Sequence, residues 1–267
     1  MSSEKDYQTI LFSVKDEVAR ITLNRPEVRN AFNEVMLGEL LEVLRKIPAR
    51  DDVRVVVLTG SGTSLCAGAD LNWLKRDLSY EENVNEFLQL AEVLYGIYSL
   101  PKPVIARVNG AAIGGGIGFV ATSDLAIAVD TAKFSFSEVK IGVVPACISP
   151  YLVRRVGEKA CREFFLTGER LTADKALNCG LVNEVVPPLK VDHAVEERVN
   201  QLLSSGPHAL SVCKELLEKV PGMKLEEAKR YTCQVLASLR EGEEAQEGMA
   251  AFLEKRKPRW GHQDRER

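Results

Sequence analysis

Two short apolar runs, VRVVVLTG at 53–60 and PVIARVNG at 103–110, constrain this chain more than any other feature. Neither alternates apolar with polar residues, both are rich in β-branched side chains, and each ends in glycine. Such a run reads as a strand buried on both faces. Strands without a wet face need covering layers, and the segments between them read as helices. With 267 residues, 45% of them apolar, the chain has material for a large core. The expectation is a layered α/β unit.

The remaining elements fit that plan. TILFSVKDEVARITLNRP reads as a β-hairpin, with Ile10, Phe12 and Val14 alternating before KDE turns the chain. Asn30 or Asn33 can cap a helix carrying Met36, Leu37, Leu40, Leu41, Val43, Leu44 and Ile47 at helical spacing. Residues 61–77 read as an irregular loop passing into a short helix. A longer helix from Glu81 to Leu100 stops at PKP, where prolines remove backbone donors. SDLAIAVD and AKFSFSEV read as strands, and SPYLVRRVG as a helix with Ser149 as cap and Pro150 in its first turn. After VVPPLK the pattern is helical, with amphipathic segments at Ala194–Leu203, Ala209–Lys219 and Leu225–Leu239. Helices that exceed what one core can cover suggest self-association.

Composition excludes several classes of function. A net charge of −3 offers no broad cationic field for nucleic acid or an anionic membrane. The six cysteines, at 66, 147, 161, 179, 213 and 233, never form C-x-x-C, which argues against a zinc site or a disulfide framework. They read as reduced thiols of a cytoplasmic protein. MSSEKDYQTILF lacks the apolar core of a signal peptide, and no apolar run reaches membrane-spanning length. Three histidines, with His262 in a polar tail, make a histidine-based metal or catalytic cluster unexpected.

The string NGAAIGGGIGF, Asn109 to Phe119, follows the second buried run directly and holds five glycines in eleven residues. A P-loop would need lysine and a hydroxyl residue after its last glycine, and the G-x-G-x-x-G spacing of a dinucleotide site is not met. A tight strand-to-helix connection explains small residues without any ligand. The same connection also leaves backbone N–H groups free at a helix N-terminus, with the positive end of the dipole behind them. SLCAGADL is a second crossing of this kind. Converging N–H groups of Ala67 and Gly115 would form an oxyanion hole, able to polarise a carbonyl and hold an enolate.

With these segments, ITLNRPEVRNAF, VVVLTGSGTSLCAGADL, LPKPVIARVNGAAIGGG, SDLAIAVDTAKFSFSEVKIGVVP and FFLTGERLTADKALNCGLVNEVV, taken in order, the chain resembles the enoyl-CoA hydratase/isomerase (crotonase) family over nearly its whole length. The resemblance implies a crotonase-like α/β spiral of ββα units over 1–191, and a helical C-terminal region over 192–267 that forms trimers or dimers of trimers. It implies an acyl-CoA substrate, no separate cofactor and no metal. The thioester oxygen would sit on the Ala67 and Gly115 N–H groups. Ala69, Asp70, Leu71, Gly114, Gly118 and Pro145 would line the substrate, and Arg25 and Arg29 are candidates for the CoA phosphates. Glu138 matches one of the two glutamates that flank the double bond in the family's hydratases.

The second glutamate is matched by Gly118. This departure suggests space for a bulkier or carboxylated acyl group. Ala146, Cys147 and Ile148 stand where many members carry a glycine-rich run, and with it the stretch FSFSEVKIGVVPACISPYLV looks most like a bacterial branch that includes methylglutaconyl-CoA hydratase-like proteins. Hydration of an α,β-unsaturated acyl-CoA is the leading expectation. Isomerisation of the double bond by a single glutamate is the alternative, followed by decarboxylation or thioester hydrolysis, and by an acyl-CoA-binding protein without chemistry.

Overall fold

The computed structural model describes residues 6–260. The first five residues and the tail that includes His262 lie outside them. Strands β1 (Ile10–Lys15) and β2 (Val18–Leu23) form the expected hairpin, turning at Asp16 and Glu17, both at positive φ. Two such residues match the right-handed twist of the flanking strands. Helix α1 (Glu34–Lys46) is capped by Asn33, whose Oδ1 accepts from the Met36 N–H at 3.1 Å. Asn30 is the buried one of the pair, accepting from the Arg25 N–H at 2.9 Å and donating to the Ser61 and Ser64 carbonyls at 2.8 and 2.9 Å.

From there the chain winds as a spiral. β3 (Val55–Gly60) and β4 (Ser64–Cys66) lead to α2 (Leu71–Leu74) and α3 (Tyr80–Tyr98). β5 (Val104–Val108) and β6 (Ala111–Ile113) lead to α4 (Gly115–Thr122). β7 (Leu125–Val129) and β8 (Lys133–Ser135) lead to α5 (Ser149–Thr167). β9 (Arg170–Thr172), α6 (Ala173–Asn178) and β10 (Glu184–Val186) close the spiral. The first strand of each unit joins a six-stranded sheet in the order β1-β2-β3-β5-β7-β10, parallel except for the hairpin. The second strands form a smaller sheet, β4-β6-β8-β9. All six residues of β3 are buried, as an all-apolar run requires. This is the ββα spiral that the resemblance implies.

Local expectations change in several places. The loop read at 61–77 contains β4, and the connection read at 109–119 contains β6. AKFSFSEV is a strand only over Lys133–Ser135, and Ser137–Ile141 turns into a 3-10 helix. Glu138 therefore stands on a tight turn, not a strand end. Ser149 does not cap α5; the cap is Ile148, and Ser149 Oγ donates back to the Ala146 carbonyl at 2.8 Å. Pro150 does occupy the first turn, and the helix runs on to Thr167 across a break at Gly157.

The helical C-terminus comprises α7 (Val191–Leu203), α8 (Pro207–Lys219), α9 (Leu225–Glu241) and α10 (Glu243–Leu253). Helix α7 buries Val191, Ala194, Val195, Val199 and Leu203 in the main core. By contrast α8 buries no residue, and α9 and α10 bury only Ala228 and Ala251. No helix among the described residues is long and apolar enough to cross a membrane.

Candidate active site

The pairing of β6 with β8 sets Ile113 beside Ser135, so the chain ends beyond them, Gly114 and the Glu138 turn, lie together. The Gly114 N–H donates to the Ser135 carbonyl at 2.8 Å. A Cβ on Gly114 would lie 3.2 Å from Glu138 Oε1 and 3.4 Å from its carboxyl carbon. Gly114 has φ +52, so the residue is suited to glycine twice over, by backbone conformation and by the carboxylate resting on it. Gly115 then opens α4. Its N–H has no intrahelical acceptor and takes part in no other hydrogen bond among the described residues.

The second crossing approaches the same point. Gly68 has φ +94, and a Cβ there would lie 2.9 Å from the Ile113 carbonyl oxygen and 3.8 Å from the Gly115 nitrogen. The hydrogen bonds around it correct one expectation. The Ala67 N–H donates to the Arg29 carbonyl at 3.0 Å, so it is not free to hold a thioester oxygen. Phe32 forms a parallel bridge with Ala69, receiving the Asp70 N–H at 2.9 Å and giving its own N–H to Gly68 at 2.8 Å. In that pattern the bridging residue directs its own N–H away from the partner strand. The amides of Gly68 and Ala69 both make no hydrogen bond among the described residues, and the bridge turns that of Ala69, expected to line substrate, away from Phe32.

Glu138 is half-buried. Burial pushes its carboxyl above the ordinary value, opposed only by a backbone hydrogen bond, and Oε2 is shut off from solvent with no hydrogen-bond partner. A carboxyl desolvated in this way holds its proton more strongly, which suits a group that must take and return one. Among the described residues no group of side chains could hold a metal ion.

Gly118 does not open the space expected of it. It is buried on α4, and a Cβ there would lie 2.7 Å from Ile148 Cγ2 and 2.7 Å from Leu94 Cδ2. The first atom of any side chain at 118 would press on two apolar side chains, so the glycine leaves no empty space at its own Cβ position. Asp70 is likewise engaged: its Oδ2 pairs with Arg25 at 2.9 Å and its Oδ1 accepts from the Asn72 N–H at 3.0 Å. Burial works against its charge, but Arg25 and the Asn72 N–H hold it below the usual carboxylate range. Arg25 also donates to the Ala31 carbonyl at 2.6 Å, so this guanidinium clamps the loop and is not free for phosphate. Arg29 is exposed. Leu71 is exposed at the start of α2, and Pro145 is buried at the foot of the loop after Glu138.

Reading the sequence missed the aromatic floor. The Phe32 ring lies against Gly115, 2.8 Å from where a Cβ would be, and contacts Trp73 and Phe119 edge-on at 5.9 and 6.1 Å. Trp73 continues the contact to Phe87 at 6.2 Å. Phe32 is separated from Gly115 by 83 positions, so only the spiral brings them together. The thiols nearby are inert: burial pushes Cys66 up to about 12 and also raises Cys147.

Comparisons with known proteins place the chain in a family. The family model for enoyl-CoA hydratase/isomerase matches residues 13–263. The chain belongs to the enoyl-CoA hydratase/isomerase family. A Thermus thermophilus protein is 41% identical over 248 residues, covering 92% of this chain and 98% of its own. The short-chain-enoyl-CoA hydratase of Clostridium acetobutylicum is 32% identical, covering 94% of this chain and 97% of its own. The crystal structure of an enoyl-CoA hydratase from Shewanella pealeana superposes with a TM-score of 0.91 at 36% identity, covering 95% of this chain and 96% of that one. The fold is shared with these relatives.

Proposed function

We propose that this chain is an enoyl-CoA hydratase in which Glu138 is the one acid/base group and the Ala69 and Gly115 N–H groups hold the thioester oxygen. The observation that carries this reading is the Glu138 carboxyl, half-buried with an unpartnered oxygen, lying against Gly114 at the mouth of α4.

The chemistry balances with one carboxylate. Ionised Glu138 takes a proton from a water molecule as its oxygen bonds to the β carbon. The electron pair of the double bond moves to the α carbon and the thioester oxygen, forming an enolate. The two N–H donors, backed by the α4 dipole, stabilise that oxygen as its charge grows. Protonated Glu138 then delivers its proton to the α carbon, the carbonyl re-forms and the carboxylate is restored. The CoA moiety belongs to the substrate, and no further cofactor enters. Arg29 is the remaining sequence-derived candidate for contact with the CoA phosphates.

A second reading is isomerisation of a 3-enoyl-CoA to its 2-enoyl form, favoured by the apolar plug at Gly118. One base suffices there, since the proton removed from the α carbon returns at the γ carbon. A branched substrate such as 3-methylglutaconyl-CoA is supported by the likeness of FSFSEVKIGVVPACISPYLV. Purified protein given crotonyl-CoA, 3-methylglutaconyl-CoA and a 3-enoyl-CoA separates these readings by absorbance. Loss of the conjugated thioester band marks hydration, its gain marks isomerisation, and binding of all three without turnover removes the enzymatic reading.

A further inference from the structure

The glycines of the site are held small by different neighbours. A Cβ at Gly110 would run into the Thr63 carbonyl oxygen, and one at Gly116 would lie 2.5 Å from the Cys66 carbonyl oxygen. Those obstacles are backbone, in β4 and in the turn before it, and cannot give way without moving the chain. At Gly118 the obstacles are side-chain methyl groups, Ile148 Cγ2 and Leu94 Cδ2, both from fully buried residues. Nothing in the backbone forbids a larger residue there. Gly118 also lies one helical turn beyond Gly114, on which the Glu138 carboxyl rests, so a side chain at 118 would start within about 6 Å of that end of the helix.

Resting on the hydratase reading, we propose that Leu94 and Ile148 determine the reaction balance of this enzyme, holding the site to a single carboxylate. They do so by filling the volume from which a second could orient water. Their effect is exerted through what they keep out. With the plug in place, water is activated by Glu138 alone, while a proton shuttle between two carbons needs nothing more. Hydration is therefore the activity that the plug limits.

The test is a cycle read on two substrates. Gly118→Glu in the native surroundings should gain no hydration of crotonyl-CoA, because the new side chain has no volume to enter. Gly118→Glu combined with Leu94→Ala and Ile148→Ala adds about as many heavy atoms as the truncations remove. It should hydrate crotonyl-CoA at least about tenfold faster than the Leu94→Ala/Ile148→Ala background, with isomerisation of a 3-enoyl-CoA changed less than about threefold. An equal gain from Gly118→Glu alone, or no gain in a triple variant with native-like circular dichroism, overturns the proposal. If the triple variant does not fold, Gly118→Ala supplies the reading: it should lower Tm in the native background and leave Tm unchanged in the truncated one. The same Tm loss in both backgrounds overturns the proposal. Failure of the hydratase reading itself would look different, as absence of turnover by the unmodified protein.

Discussion

At the residue scale the decisive group is Glu138, whose carboxyl is raised by burial. Its folded-state pKa lies above the unfolded value, so its stabilising contribution is complete at low pH and is lost as pH rises through the folded pKa. Ionised Glu138 is therefore a cost to stability, one that the proposed chemistry requires. Glu138→Gln should melt at or above the unmodified protein at pH 8, with the difference vanishing toward pH 4, in paired thermal scans. The same substitution should lower kcat by about two orders of magnitude or more while CoA thioesters still bind. A destabilised Glu138→Gln protein at pH 8 would assign the carboxylate a structural role instead. Hydration should also lose kcat/KM on the acid side at a pH above the ordinary carboxylate range, because only the ionised form accepts the proton from water. A pH–rate profile with its acid limb at or below that range would contradict the burial argument.

The sequence supported Gly115 and Glu138 better than Ala67, and the reason is physical. Gly115 follows a strand and opens a helix, a position whose N–H is free by construction. In the loop CAGAD the free amide depends on which residue pairs with a strand distant in the chain. That segment, Arg29–Phe32, takes the amides of Ala67 and Asp70 and leaves those of Gly68 and Ala69, of which the bridge at Phe32 turns Ala69 outward. Local pattern carries no trace of such a partner. Ala69→Pro deletes the proposed donor and should reduce kcat by about a hundredfold to a thousandfold with little change in Tm. Near-native turnover would remove Ala69 from the oxyanion hole.

At the element scale the crossings work because strands of one sheet deliver their ends to one place. Helices and buried strands were readable since their periodicities are set by burial alone. The turn carrying Glu138 was not, because Phe134 and Phe136 continue an alternating pattern while the chain has already left the sheet after Ser135. The loop of the first crossing is held by Arg25 and Asp70, whose side chains are 18% and 13% exposed. Asp70→Asn should cost about 2 kcal/mol in urea unfolding. Asp70 is held below its ordinary pKa, so the stabilisation it gives is present above the unfolded value and lost as pH falls through the folded one. The deficit of Asp70→Asn should accordingly shrink in acid; a constant deficit across pH would show that charge is not what Arg25 recognises.

At the scale of the whole molecule, α8 to α10 leave apolar surface that the described chain does not cover. Leu217 is 75% exposed, Leu225 84% and Leu236 68%, on helices with an amphipathic pattern. Isolated exposed leucines are ordinary, but helices that bury almost none of their own residues gain little from the monomer. The amphipathic spacing was plain in the sequence, whereas what the apolar faces meet was not, since a helix pattern records that a face is covered without naming the cover. We expect these faces to meet copies of the same chain as a trimer or a dimer of trimers, with Leu236 near the contact. Light scattering coupled to size exclusion should give a mass of three or six chains for the unmodified protein. Leu236→Glu should shift that mass toward the monomer at micromolar concentration, because a buried charge without a partner opposes association by several kcal/mol. An unmodified protein that elutes as a monomer at high concentration would assign the exposed leucines to solvent.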